Sequence, residues 1–120
     1  MMSLVKMKLR RHPFEQIAVL RQKTIELRLF DEKRQSLRVG DIIEFSCMDA
    51  PLPPFTARIT ALHRFNRFAE LYASLPLLKC GYTEETVKTA SPEDMDTYYP
   101  PEEQIRYGVV GIELQLLSEQ

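Results

Sequence analysis

Two cysteines, two histidines, four glycines and no tryptophan occur among 120 residues, and each scarcity removes a class of explanation. Cys47 and Cys80 form no C-x-x-C pair, and His12 and His63 are well separated from both, so neither a zinc site nor a disulfide framework is signalled. Free, reduced thiols are the expectation, and they fit a cytoplasmic protein. No glycine-rich stretch is present that would cradle a phosphate, and Asp31, Glu32 and Asp41 flank turns without metal-loop spacing. No metal and no cofactor are therefore expected. The start, MMSLVKMKLRRHPF, has no long apolar run and resembles neither a signal peptide nor a membrane span, so neither is expected there.

What is present fits an ordinary globular domain, with 44% hydrophobic and 28% charged residues. The length predicts a single domain over residues 1–120, able to bury roughly two-thirds of its unfolded surface. The net charge of −1 hides an asymmetry. Residues 1–40 carry ten Lys/Arg and four acids, whereas residues 41–120 carry six and thirteen. A basic third gathered on one side would attract phosphates over about a Debye length. Pairing of the two halves across the fold would account for it equally well.

Hydrophobic spacing predicts the elements. VKMKLR (5–10) alternates as a half-buried strand. A helix follows His12, with Pro13 in its first turn and Phe14, Ile17, Ala18 and Leu20 as its apolar stripe, ending near Arg21–Gln22. Strands are expected at about 24–29, at 41–48 after a Gly-Asp turn, at 55–65 and at 109–117. Residues 30–41 read as a charged connection. Between the last two strands, Asn66, Thr83 and Ser91 are expected to cap short helices, and a last helix or turn stops at Gly108. Phe68, Leu71 and Tyr72 share a face of the first of these. The order lacks the strand–helix alternation of parallel-sheet proteins. It predicts an α+β domain: a barrel-like sheet of mostly antiparallel strands, with an N-terminal helix and several short helices outside.

One strand is unusual. In RQKTIELRLF (21–30), Ile25, Leu27 and Leu29 alternate with Thr24, Glu26 and Arg28, and Lys23 stands just before them. Such a polar face is either solvated or a site. Lys23 suits a phosphate, and Arg28 offers a fork to phosphate or to a base edge. Glu26 accepts from an amino group or a ribose hydroxyl, and Thr24 does either job. Tyr98, Tyr99 and Tyr107 are stacking candidates. The structural alternatives are a Glu26–Arg28 salt bridge along the sheet and tyrosines that pack a helical corner.

The spacing Lys23-x-x-Glu26-x-Arg28 resembles the G-x-K-x-x-E-x-R signature of the ASCH (activating signal cointegrator homology) domains, a branch of the PUA-like β-barrels. LRVGDIIEF, ALHRFNRFAELY, LLKCGYTEETV, SPEDMDTYY and YGVVGIEL resemble further blocks of bacterial ASCH proteins in the same order, so the resemblance spans nearly the whole chain. The signature glycine falls at Arg21, where a left-handed residue at the helix end would cost a non-glycine side chain roughly 1 kcal/mol or more. Arg21 would otherwise stay helical beside the negative helix end.

The resemblance implies a PUA-like barrel and a cleft beside it, lined by the motif, that binds RNA or a nucleotide- or nucleoside-like ligand. Lys23, Thr24, Glu26, Arg28, Tyr98 and Tyr99 are the expected binding residues, and no membrane partner is expected. The alternative is a small hydrolase, either an amidohydrolase acting on an N-acylated nucleoside or a ribonuclease, with Lys23 and Glu26 in the site. In the family's amidohydrolase branch a threonine nucleophile occupies the position held here by Glu26. A carboxylate cannot replace that hydroxyl, although it could act as a general base, or Thr24 as a shifted nucleophile. A paired-histidine ribonuclease would need His12 and His63 to meet. The acidic residues Glu84, Glu85, Glu93 and Asp94 read as helix-start charges. A third reading is a protein-interaction module using the acidic C-terminal part, which weaker salt dependence would separate from RNA binding.

Overall fold

The computed structural model describes residues 3–117. Its strands are β1 (Leu4–Leu9), β2 (Ile25–Leu29), β3 (Ile42–Cys47), β4 (Phe55–Phe65) and β5 (Val109–Leu116). Its α-helices are α1 (Arg11–Ala18), α2 (Glu32–Gln35), α3 (Phe68–Ser74) and α4 (Pro101–Tyr107). Three 3-10 turns, Leu77–Cys80, Thr86–Thr89 and Pro92–Thr97, fill the stretch between α3 and α4. The expected strands are therefore all present, whereas α2 arises in a stretch read as a plain connection. Asp31 caps it by accepting from the Arg34 backbone N–H at 3.2 Å.

The five strands form one sheet in the order β1-β3-β4-β5-β2, curled into a half-barrel. Three pairings are antiparallel and β1–β3 is parallel, so the sheet is mixed. A parallel pair needs a long crossover, and here α1, β2 and α2 supply it. β1 and β2 are the two edges, and the sheet is open between them.

Alternation places a core on each face. Met7 and Leu9 of β1, Ile43 and Phe45 of β3, Ala57 and Ile59 of β4, and Val110, Ile112 and Leu114 of β5 pack with Phe14 and Ile17 of α1. On the other face, Ile25, Leu27, Leu29 and Val109 pack with Phe68 and Leu71 of α3, Cys80 and Met95. A bulge lets β4 serve both. Ile59 pairs with Leu114 but Ala61 pairs with Glu113, so Thr60 is an extra residue. Before the bulge the odd-numbered residues Phe55, Ala57 and Ile59 face the first core. After it Leu62 does, and Phe65 turns to the second.

Three expectations at helix ends are corrected. α1 begins at Arg11 and ends at Ala18, three to four residues early, so Leu20 is 61% exposed rather than part of the stripe. α3 starts at Phe68 after Arg67, and Asn66 instead donates its backbone N–H to Glu70 Oε1 at 3.1 Å. Thr83 accepts from the Thr86 backbone N–H at 3.1 Å but does not cap a helix, since the 3-10 helix Thr86–Thr89 starts after Glu85 with no side-chain cap. Ser91 and Asp94 form a reciprocal capping box around Pro92, as the spacing predicts, again on a 3-10 turn.

The second core ties the helical region to β2. Phe68 is 1% exposed, lies edge-on to Tyr72 and stacks on Tyr99 with ring centroids 6.3 Å apart. Phe68→Ala should therefore cost about 3–5 kcal/mol in urea unfolding. A loss below about 1 kcal/mol would show that this layer does not depend on the ring.

Candidate functional site

A cleft of about 860 Å³ opens where the sheet fails to close. Lys8, Leu9 and Arg10 line it from the β1 edge, and Glu26, Leu27 and Arg28 from the β2 edge. His12, Pro13 and Gln16 of α1 also line it, as do Tyr72, Gly81, Tyr82, Asp94, Tyr98 and Tyr99 from the stretch after β4.

Glu26 is the center of the β2 wall. It pairs with Ile112 across the ladder, so its side chain points to the first core rather than to bulk water, and the residue is 5% exposed. Its Oε1 lies 2.9 Å from Lys23 Nζ and its Oε2 accepts from Arg28 Nε at 2.6 Å. Arg28 Nη2 donates to the Lys8 backbone oxygen at 2.7 Å, and Lys33 Nζ donates to the Lys6 oxygen at 2.7 Å. Cations reaching from β2 and α2 thus occupy carbonyls on the edge of β1, bridging the seam and blocking an exposed edge.

Burial raises the Glu26 pKa, but the charges and hydrogen bonds of Lys23 and Arg28 outweigh it, and the carboxyl is held below its ordinary value. Burial likewise works against the Arg28 charge, and Glu26 more than compensates, leaving its pKa raised. Both shifts favour the charged forms of Glu26 and Arg28. Cys80, beside them, is pushed up to about 11, mainly by burial, and so is a neutral thiol at physiological pH.

The chain geometry that delivers Lys23 is specific. After α1, Gln22 and Lys23 both donate their backbone N–H to the Gln16 oxygen, at 3.1 and 3.2 Å. This reversal requires a left-handed residue, and Arg21 supplies it with φ 59°. Arg21 therefore adopts the conformation that the signature glycine would favour, and the helical alternative is excluded. The Lys23 chain then lies against Gly81, whose φ is 112°. A Cβ there would stand 3.3 Å from Gln16 Oε1 and 3.4 Å from Lys23 Cδ. Gln16 fixes this glycine by donating to its carbonyl oxygen at 2.9 Å.

Of the expected residues, Lys23, Glu26, Arg28, Tyr98 and Tyr99 converge on the cleft. Thr24 does not. It precedes β2, donates its backbone N–H to the Lys79 oxygen, and lines a separate cavity of about 60 Å³ with Ile17 and Leu114. Tyr107 packs on the second core. His12 lines the cleft, whereas His63 pairs with Glu113 at 2.8 Å and is not among the lining residues. Tyr99 is anchored on Phe68, and Tyr98 is 63% exposed. Both sequence alternatives for Glu26–Arg28 hold at once, since the salt bridge is real and it lines a cavity.

The sequence reasoning missed a second polar chain. Tyr82 donates its hydroxyl to Asp94 Oδ2 at 2.6 Å, and the Tyr72 and Tyr82 hydroxyl oxygens are 2.7 Å apart. Tyr72 was placed by its helical face and Asp94 by its position in a first turn. No local pattern joins either to Tyr82. Among the described residues, no group of three or more His, Cys, Asp or Glu could hold a metal ion, and no helix is long and apolar enough to cross a membrane.

Two outcomes test this geometry. With φ positive at position 21, Arg21→Gly should be more stable than Arg21→Ala by roughly 1 kcal/mol, and equal melts would contradict the left-handed assignment. A carboxyl whose folded pKa lies below the ordinary 4.5 contributes stability that is fully present above that value and lost as pH falls through the folded one. Glu26→Gln, which strands two buried cations, should cost about 3–5 kcal/mol at neutral pH. That difference should shrink below about pH 4.5, and its persistence at about pH 3 would contradict the clamp.

No family model matches the sequence, and no curated protein sequence matches it either. Solved structures do. The crystal structure of the hypothetical protein PH0355 aligns with 97% of this chain and 100% of its own, with TM-score 0.78 and 25% identity. The solution NMR structure of protein PF0455 from Pyrococcus furiosus aligns with 97% of this chain and 99% of its own, with TM-score 0.68 and 30% identity. At that identity over essentially the full length of both, the chain belongs to the same family as the Pyrococcus furiosus protein PF0455.

Proposed function

We propose that the protein is a cytoplasmic ASCH domain of the PUA-like class that binds RNA or a nucleotide-like ligand in the cleft at the sheet seam. The observation that carries this reading is the buried Lys23–Glu26–Arg28 clamp in the wall of a cavity large enough for a nucleotide. Four cations, Lys8, Arg10, Lys23 and Arg28, line that cavity against two carboxylates, Glu26 and Asp94, so its field favours an anion. Lys8 and Arg10 are exposed and suit phosphates. The exposed ring of Tyr98 offers a stacking surface. The charge asymmetry of the sequence also favours this over pairing between the halves, because Arg11, Lys23, Arg28 and Arg34 each pair with a carboxylate from the same forty residues.

Hydrolysis is the weaker reading. Glu26 is held below its ordinary pKa with both oxygens engaged, which makes it a poor general base, and Thr24 stands outside the cleft.

Binding of short single-stranded RNAs and of nucleoside monophosphates, followed by calorimetry across a salt series, tests the proposal. Affinity for RNA should fall as salt rises. Lys8→Ala combined with Arg10→Ala should weaken binding across sequences and lower the salt slope by about one for each phosphate contact removed, with the melt unchanged. No binding by any of these ligands would refute the proposal, and turnover of N-acylated nucleosides would establish the hydrolase instead.

A further inference from the structure

The Tyr72–Tyr82–Asp94 part of the cleft lining has a fixed hydrogen-bond polarity. A phenol has one proton, and that of Tyr82 goes to Asp94 Oδ2 at 2.6 Å. The 2.7 Å contact between the two hydroxyls must then use the proton of Tyr72, donated to the Tyr82 oxygen. Asp94 is itself held in place, because its Oδ2 also accepts from the Ser91 backbone N–H at 3.1 Å in the capping box. Protonation states support this direction. Burial, and then the bonds to Asp94 and Tyr72, push the Tyr82 hydroxyl far above its ordinary range, while the Tyr82 bond draws Asp94 down. Tyr82 keeps its proton and Asp94 stays ionised.

We propose that Tyr72, with its proton committed through Tyr82 to Asp94, presents only lone pairs to the cleft and so selects bases that place an exocyclic amino group, rather than a carbonyl, against it. The same cleft is lined by Lys23 and Arg28, which only donate. A ligand that matches both groups carries an amino group and an anion, as an amino-bearing nucleotide does. Tyr82 and Asp94 are positioning residues here, acting through Tyr72. The inference rests on the nucleotide-binding reading above and adds to it which bases the site accepts.

The test compares AMP with IMP and CMP with UMP, pairs in which an amino group replaces a carbonyl. Calorimetry with wild-type protein should show the amino member of at least one pair bound roughly tenfold tighter or more. Tyr82→Phe keeps the ring that packs edge-on to Tyr72 with centroids 5.8 Å apart, but frees the Tyr72 hydroxyl to donate as well as accept. It should bring the ratio toward one without lowering the melt. Tyr72→Phe should also abolish the ratio, and it carries the test alone if Tyr82→Phe does not fold. Wild-type ratios near one, or favouring the carbonyl member, would overturn the inference while leaving nucleotide binding intact, as would a ratio unchanged in a folded Tyr82→Phe protein. Failure of all four nucleotides to bind would remove the binding reading and this inference together.

Discussion

A carboxylate buried between two cations is the constraint on which the seam of this molecule depends. Glu26 holds Lys23 on one oxygen and Arg28 on the other, and Arg28 reaches across to the backbone of β1. Burying three charges is costly, and an apolar trio of similar volume would serve stability as well or better. What ions supply is an open edge that is polar, fixed in geometry and sealed against another strand. The demands of the clamp spread outward from there. Lys23 needs a reversal at the end of α1, the reversal needs a left-handed residue at Arg21, and the lysine chain needs the bare backbone of Gly81 beneath it.

The cleft itself is a product of topology. The sheet ends at β1 on one side and β2 on the other, and these edges meet across the seam through side chains instead of a ladder. Two cores, one on each face, hold the edges in place. The Thr60 bulge allows β4 to contribute to both. The 3-10 turns between α3 and α4 supply much of the remaining lining, tied in by Phe68 stacking on Tyr99 and by the Tyr72–Tyr82–Asp94 chain.

Much of this was legible in the sequence, for physical reasons that can be named. Period-two alternation located β1 and β2, since burial on one face imposes it directly, and apolar, strand-forming runs bounded by turn residues located the others. The unusual polarity of RQKTIELRLF pointed to Lys23, Glu26 and Arg28, which the structure brings together. Thr24 was misplaced because alternation holds only within a strand, and β2 begins one residue later. The end of α1 was overrun because Leu20 continues the apolar spacing even though the backbone has already turned. The Thr60 bulge and the Tyr72–Tyr82 contact left no local trace, for both depend on tertiary neighbours.

The proposed function requires that the seam cleft, and no other surface, receive the ligand. Amide chemical shifts of labelled protein titrated with a nucleoside monophosphate measure this directly. Perturbations should concentrate at Lys8, Arg10, Lys23, Glu26, Arg28, Gly81, Tyr98 and Tyr99 around the seam. Perturbations centred elsewhere, for example around the exposed Val39 or Ile105, or none at saturating nucleotide, would contradict it.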